Sequence, residues 1–320
     1  MLCVFFVGVV MSCNFYKKIG FIGAGCYGTA IAQSLSSRVD YISLITDSAE
    51  IMNNINQKHV NEVLGDTVLS DTLSCFMKDY SAIKDAELIF ITVPVGAVAK
   101  VCNLIKENSI KVPVILCSKG LDTENACLIS EMVTNIIDNE FLVFSGPSFA
   151  TEVVRGLPFG VNLASKNMKL AMDIACGLSS EICEIKPLDD YIGLQIAGAF
   201  KNILAIGCGM KRGTGLGNNF IAKFIVEGIE EMISLAKAMG GKKDTFFSLG
   251  GIGDIILTCT SEQSRNGRFG EYLANGGALS NWKGALAEGA FAAKGIPVFA
   301  KKYDVRFKVF DEIYKAIYQN

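Results

Sequence analysis

The stretch Lys18-Ile-Gly-Phe-Ile-Gly23-Ala-Gly25-Cys-Tyr-Gly28-Thr-Ala-Ile-Ala32 decides the fold. An apolar run, Ile19–Gly23, reads as a buried strand. The pattern Gly-x-Gly-x-x-Gly follows, and small and apolar residues then recur at helical spacing over Ala24–Ser36. Strand, tight turn and helix in this order form the first unit of a dinucleotide-binding βαβ fold. Gly23 permits the tight turn, Gly25 lets the backbone approach a pyrophosphate, and Gly28 lets helix and strand pack closely. The helix N-terminus then faces the anion. A glycine-rich turn alone is weak evidence; the flanking strand and helix make it specific.

The same rhythm continues outward. Short apolar runs at Ile42–Ile45, Leu88–Val93, Val112–Cys117 and Phe141–Ser145 read as further buried parallel strands, separated by helical patterns such as Ala126–Ile137. Residues 17–188 therefore form an α/β, Rossmann-like, doubly wound sheet. Over 189–320 the pattern changes to long helical periodicity: Leu194–Ile206, Phe220–Met239, Ala285–Lys294 and Lys308–Tyr318, with no comparable strand run. This half reads as a mostly α-helical second domain. Residues 1–16 form an N-terminal extension whose first ten residues are almost wholly apolar, too short to span a bilayer and without the basic flank of a secretory signal.

Half of the 320 residues are hydrophobic, enough for a sizeable core. The net charge of −2 and the lack of a basic block argue against a nucleic-acid partner. An anionic substrate would need a local cationic pocket. The 11 cysteines are scattered singly without zinc spacing, so they read as reduced thiols and no metal site is expected.

Asp47 ends the second strand nineteen residues after Gly28, where a carboxylate can accept hydrogen bonds from the adenosine ribose and would repel a 2′-phosphate. It could equally serve the N-terminus of the next helix, because Asp47 and Ser48 precede one. Thr92-Val93-Pro94 either lines the cofactor cleft or simply ends a strand. The single histidine, His59, sits in a polar stretch far from the other candidates, so a lysine or a carboxylate must move any proton. Lys119 follows a strand at its carboxyl edge. Lys201 interrupts an apolar helix, where it either faces a cleft or snorkels to the surface. Burial and a neighbouring cation both lower a lysine pKa, so a Lys119–Lys201 pair could poise a base. Asp254, in the turn Gly250-Gly-Ile-Gly-Asp254, either presents its carboxylate to a pocket or caps a helix. Ser264, Arg265 and Asn266 suit a phosphate monoester, though such a cluster is also an ordinary solvated loop.

Eight motifs in order, GAGCYGTAIA, NQKHVN, SKGLD, SGPSFATEV, GAFKNILAIG, GGIGDIILTCTS, SRNGRFG and AEGAFAAKG, resemble the bacterial-type NAD(P)-dependent glycerol-3-phosphate dehydrogenases. The resemblance runs from about Lys17 to near the C-terminus. It implies an active site between the two domains and interconversion of sn-glycerol 3-phosphate and dihydroxyacetone phosphate. It further implies a homodimer in the cytoplasm, without stable membrane insertion, that supplies phospholipid synthesis. By position, Lys201 resembles the general acid/base, Lys119 its companion on substrate and cofactor, and Asp254 the acid near the substrate hydroxyls. Gly146, Ser148, Ser264, Arg265 and Asn266 match substrate contacts. Cys26, Tyr27, Lys119, Ala150, Arg265 and Glu288 match cofactor positions beside Gly23, Gly25, Gly28 and Asp47.

The chain also departs from that pattern. Ile45-Thr46-Asp47 stands where the family often has Trp-Gly-Arg, so NAD is expected to be preferred, with NADP possible. The common Tyr-Leu-Pro-Gly segment is altered near Val63. Phe200 stands where Leu is common, a volume change expected to be tolerated. A β-hydroxyacid dehydrogenase of the 6-phosphogluconate type shares the two-domain plan, but the SRN segment after GIGD argues against it.

Overall fold

The computed structural model describes residues 15–284 and 287–319, and the apolar stretch Met1–Val10 lies outside them. The chain divides into two compact units. The described residues up to Ser118, with Val133–Phe144 and Ser148–Asp189, make the first. Lys119–Met132, Ser145–Pro147 and the residues from Asp190 onward make the second.

The first unit is built on an eight-stranded sheet whose strands pair in parallel from β3 through β2, β1, β4 and β5 to β8, and again between β9 and β10. Its strands are β1 (Tyr16–Ile22), β2 (Val39–Thr46), β3 (Leu73–Met77), β4 (Leu88–Ile91), β5 (Val114–Leu116), β8 (Phe141–Ser145), β9 (Phe159–Ala164) and β10 (Cys183–Leu188). A two-stranded antiparallel pair, β6 (Leu121–Asp122) and β7 (Cys127–Leu128), falls in the second unit. The spatial order is β10-β9-β8-β5-β4-β1-β2-β3. Chain order thus runs one way from β1 and the other way from β4, which makes the β1/β4 boundary the topological switch point where ligands of such sheets bind.

The central strands are apolar on both faces because helices cover both faces. In β1 Phe21 pairs with Phe90 of β4, and the two rings stack at a centroid distance of 4.5 Å. The outer strands β3, β9 and β10 were not among the runs read from sequence. Their character explains this: β3 and β10 are edge strands with alternating burial, and β10 contains Pro187, which an edge tolerates. In β9 the apolar run is broken by Asn162, buried and donating to the Lys186 carbonyl at 3.2 Å. The unit's helices are α1 (Cys26–Leu35), α2 (Ala49–Asn53), α3 (Val95–Glu107), α5 (Ala150–Val153) and α6 (Met168–Leu178), with α4 (Ile129–Thr134) crossing the division.

Apart from β6 and β7, the second unit is helical: α7 (Tyr191–Gly213), α8 (Asn218–Ala238), α9 (Asp254–Thr260), α10 (Arg265–Ala274), α11 (Glu288–Ala293), α12 (Ile296–Tyr303) and α13 (Val309–Tyr318). Its axis is α7, which packs against α8, α9, α10, α11 and α13. Among the described residues α7 is the one helix long and apolar enough to cross a membrane, and it is almost wholly buried in the protein instead. A helix apolar on all sides needs neighbours on all sides. Asp190 caps it, accepting from Gly193 N at 2.9 Å, and also accepts from Thr245 Oγ1. Lys211 and Arg212 sit in the last turn, where cations suit the helix dipole.

Among the described residues, eight cysteines are free thiols, six of them buried; Cys176 departs from the reduced reading and is disulfide-bonded.

Phe200 is fully buried and meets the rings of Phe299, Phe307 and Phe310 at 6.2, 5.8 and 5.0 Å. It therefore anchors α7 beside Lys201. Phe200→Ala should cost about 3–5 kcal/mol in urea unfolding, whereas Phe200→Leu, which keeps most of the volume, should cost less than about 1.5 kcal/mol.

Candidate active site

Within the first unit, a cavity of about 740 Å³ opens at the switch point, lined among others by Gly23, Ala24, Gly25, Asp47, Thr92 and Val101. The glycines show why this turn needs them. Gly23 has φ +113°, and a Cβ there would press on Thr92 at 3.0 Å. A Cβ at Gly28 would lie 2.0 Å from the Gly23 carbonyl oxygen. A Cβ at Gly25 would meet nothing within 4 Å, so that side is open for a ligand to approach the backbone. Gly25 is also the N-cap of α1 and supplies no side-chain cap, which leaves the helix N-terminus to an anion. The residues present fit a dinucleotide.

Ser48, not Asp47, caps α2: its hydroxyl accepts from Ile51 N at 3.3 Å. Asp47 is exposed and lines the cavity, as do Lys78, Tyr80 and Lys100. Burial and, after it, the Asp47 charge push the Tyr80 phenol above its usual pKa. Tyr27 and Ser148, both in this unit, meet with their hydroxyl oxygens 3.1 Å apart. The Cys26 thiol donates to the Val63 carbonyl at 3.5 Å. Ala150 opens α5. His59 is partly exposed, in the left-handed region at φ 52°, with Nδ1 3.4 Å from an Asp71 carboxylate oxygen.

Within the second unit, three charged side chains meet. Asp254 is 1% exposed and Lys201 6%. Lys201 therefore does not snorkel. Its Nζ donates to Asp254 Oδ1 at 2.5 Å and to Thr258 Oγ1 at 2.8 Å. Lys119 Nζ donates to the other carboxylate oxygen, Oδ2, at 2.7 Å and to the Gly146 carbonyl at 3.3 Å. Asp254 opens α9 after the turn Leu249–Gly253, so the favourable field of a helix N-terminus reaches it while its side chain turns to the lysines.

The electrostatics follow from this packing. Burial is the largest influence on Lys201 and lowers its pKa. The Asp254 carboxylate opposes that, the Lys119 charge adds to it, and the net result is a pKa of about 8. For Asp254, burial would raise the pKa, but the charges of Lys119 and Lys201 outweigh it and hold the carboxyl below its usual range.

Thr258 was not among the candidates read from sequence. It lies four residues after Asp254, one helical turn along the same face, and that spacing was a usable signal. Its hydroxyl accepts from Lys201 and donates to the Asp254 carbonyl at 2.7 Å. Asn202, beside Lys201, was also missed. Its Oδ1 accepts from Asn266 Nδ2 at 3.1 Å, while Asn266 Oδ1 accepts from Gly289 N at 3.0 Å, next to Glu288 at the start of α11. Ser264 Oγ caps α10 by accepting from Gly267 N, and Arg265 is exposed at its first turn. Lys119, Gly146, Lys201 and Asp254 are thus in direct contact, and Asn266 is tied to α7 next to Lys201.

Asp254→Asn should leave two ammonium groups facing no counter-charge, lowering stability at neutral pH by about 3–5 kcal/mol. That deficit should narrow as pH rises, because a neutral Lys201 needs no counter-ion. Urea unfolding at several pH values measures both effects.

Comparison with known proteins agrees with this architecture. Residues 18–171 match the family described as NAD-dependent glycerol-3-phosphate dehydrogenase N-terminus, and residues 190–320 match its C-terminus. The chain is 34% identical to glycerol-3-phosphate dehydrogenase [NAD(P)+] of Listeria innocua over 314 residues, covering 95% of this chain and 93% of that protein. It is 32% identical to the enzyme of the same name from Anaplasma phagocytophilum, covering 94% of this chain and 95% of that one. The crystal structure of glycerol-3-phosphate dehydrogenase from Coxiella burnetii superposes with a TM-score of 0.89 at 31% identity, covering 96% of each chain. On these matches, the chain belongs to the NAD-dependent glycerol-3-phosphate dehydrogenase family.

Proposed function

We propose that the chain interconverts sn-glycerol 3-phosphate and dihydroxyacetone phosphate with an NAD(P) cofactor. The observation that carries this reading, in a chain of this family, is the buried Lys201–Asp254–Lys119 cluster. The cofactor, held at Gly23, Gly25 and the N-terminus of α1, supplies or accepts hydride when bound. The chain's own residues handle the proton and the placement. In the oxidation direction neutral Lys201 takes the proton from the C2 hydroxyl; in reduction its ammonium polarises the ketone oxygen and returns the proton. A lysine with pKa about 8 can do either near neutral pH. Asp254 and Thr258 fix the direction of Nζ, and Lys119 adds positive charge at the other oxygen of the Asp254 carboxylate.

Arg265, with Ser264 and Asn266, is assigned to the phosphate. A cation remote from C2 lets binding energy orient the reacting carbon. Gly146 and Ser148 are further substrate contacts in this reading, and Cys26, Tyr27, Ala150 and Glu288 further cofactor contacts. Residues 17–188 act as the cofactor domain and 189–320 as the substrate and catalytic domain, to which Lys119–Met132 and Ser145–Pro147 are added by their packing in the second unit. The enzyme works as a cytoplasmic homodimer that supplies glycerol 3-phosphate for phospholipid synthesis.

NAD is the preferred cofactor in this reading because the Asp47 carboxylate lines the cavity and repels a 2′-phosphate. Lys78 and Lys100 line the same cavity and would soften that preference.

Turnover of dihydroxyacetone phosphate, followed by nicotinamide absorbance with NADH and then NADPH, tests the reaction. Folded protein that binds NADH and shows no turnover with either cofactor would overturn it. Lys201→Ala should lower turnover by about 10²-fold or more while NADH binding stays intact. In the wild type the oxidation rate should rise, and the reduction rate fall, as pH passes upward through about 8. Asp47→Arg should move the kcat/KM ratio toward NADPH; an unchanged ratio would show that other residues set it.

A further inference from the structure

The glycine-rich turn is gripped from behind by side chains that the reaction itself does not use. Thr92 Oγ1 donates to the Gly23 carbonyl at 2.7 Å and lies 3.1 Å from that of Ile22. Asn61 Nδ2 donates to the Ala24 carbonyl at 3.0 Å and to Thr29 Oγ1 at 2.8 Å. Thr29 Oγ1 in turn donates to the same Ala24 carbonyl at 3.1 Å. Asn61 is 2% exposed and Thr29 fully buried, so water does not substitute for either donor. All of these residues belong to the first unit.

These bonds have an electrostatic consequence. A peptide plane that flips exchanges the faces of its C=O and N–H. Gly23, Ala24 and Gly25 line the cavity, and a carbonyl turned into it would set a partial negative charge against a bound anion. The uncapped first turn of α1 begins directly after them. With its oxygen taken by the buried Asn61 and Thr29, Ala24 has its carbonyl drawn into the interior; Thr92, at the cavity wall, holds the Gly23 oxygen by a hydrogen bond of its own.

We propose that Asn61, assisted by Thr92, is a positioning residue for the cofactor: it locks the Ala24 peptide plane so that the glycine-rich turn presents no carbonyl to the pyrophosphate. The proposal rests on the reading of this cavity as the dinucleotide site. It also gives the NQKHVN segment a role: it carries the donor that grips the turn, whatever the sequence of the altered residues from Val63 onward.

NADH titration by fluorescence on the full chain, with no triose phosphate present, tests it. In Asn61→Ala the Kd for NADH, and equally for ADP-ribose, should rise about tenfold, the effect of losing a buried donor. The kcat at saturating NADH and the KM for dihydroxyacetone phosphate should stay within about twofold. A Kd unchanged in folded Asn61→Ala would overturn the proposal. So would a loss shared equally by kcat and both KM values, which signals general damage. If Asn61→Ala does not fold, isosteric Thr92→Val decides: a raised Kd supports the lock and an unchanged one overturns it. Because binding is read directly, a rise in Kd supports the lock even if dihydroxyacetone phosphate proves not to be the substrate.

Discussion

Asp254 shares its two carboxylate oxygens between two lysines, and it is almost wholly buried. A buried carboxylate needs compensating charge, and a buried lysine needs the same from the other side. The three side chains come from separate parts of the second unit: Lys119 from the segment before β6, Lys201 from the middle of α7 and Asp254 from the start of α9. The helical packing must hold those three points in register. Phe200, locked among three other rings, and Thr258, bonded to both Lys201 and the Asp254 backbone, serve that need.

The same arrangement sets the protonation of Lys201. Burial alone would push the amine to its neutral form, and Asp254 alone would keep it charged. Lys119 offsets part of the Asp254 effect, and the balance leaves Lys201 at about 8. A lysine poised there can give and take a proton, as a reversible interconversion of an alcohol and a ketone requires.

The first unit solves a different problem with different means. It offers an anion backbone geometry in place of charged side chains. The parallel sheet reverses its strand order between β1 and β4, the glycine-rich turn sits at that reversal, and the N-terminus of α1 is uncapped. Such a device depends on the direction of peptide planes. That explains why side chains as unremarkable as Thr92, Thr29 and Asn61 converge on the Ile22, Gly23 and Ala24 carbonyls. One unit works with fixed charges and the other with oriented dipoles.

The sequence by itself determined the parts that follow from local physics. Gly-x-Gly-x-x-Gly between a strand and a helix is a backbone constraint, and Gly23 with φ +113° and Gly28 with no room for a Cβ meet it directly. Continuous apolar runs marked the central strands because those are covered on both faces; β3 and β10 escaped because edge strands alternate, and β9 because Asn162 interrupts it. Tertiary structure decided what depends on partners distant in the chain. Lys201 and Asp254 are 53 residues apart, and Lys119 and Asp254 are 135 apart. Only their packing shows that Lys201 is buried, that Asp254 pairs with lysines, and that Ser48 rather than Asp47 caps α2. Residue type and spacing state which charges a chain owns; burial and distance, which exist only in the folded chain, set their pKa and their partners.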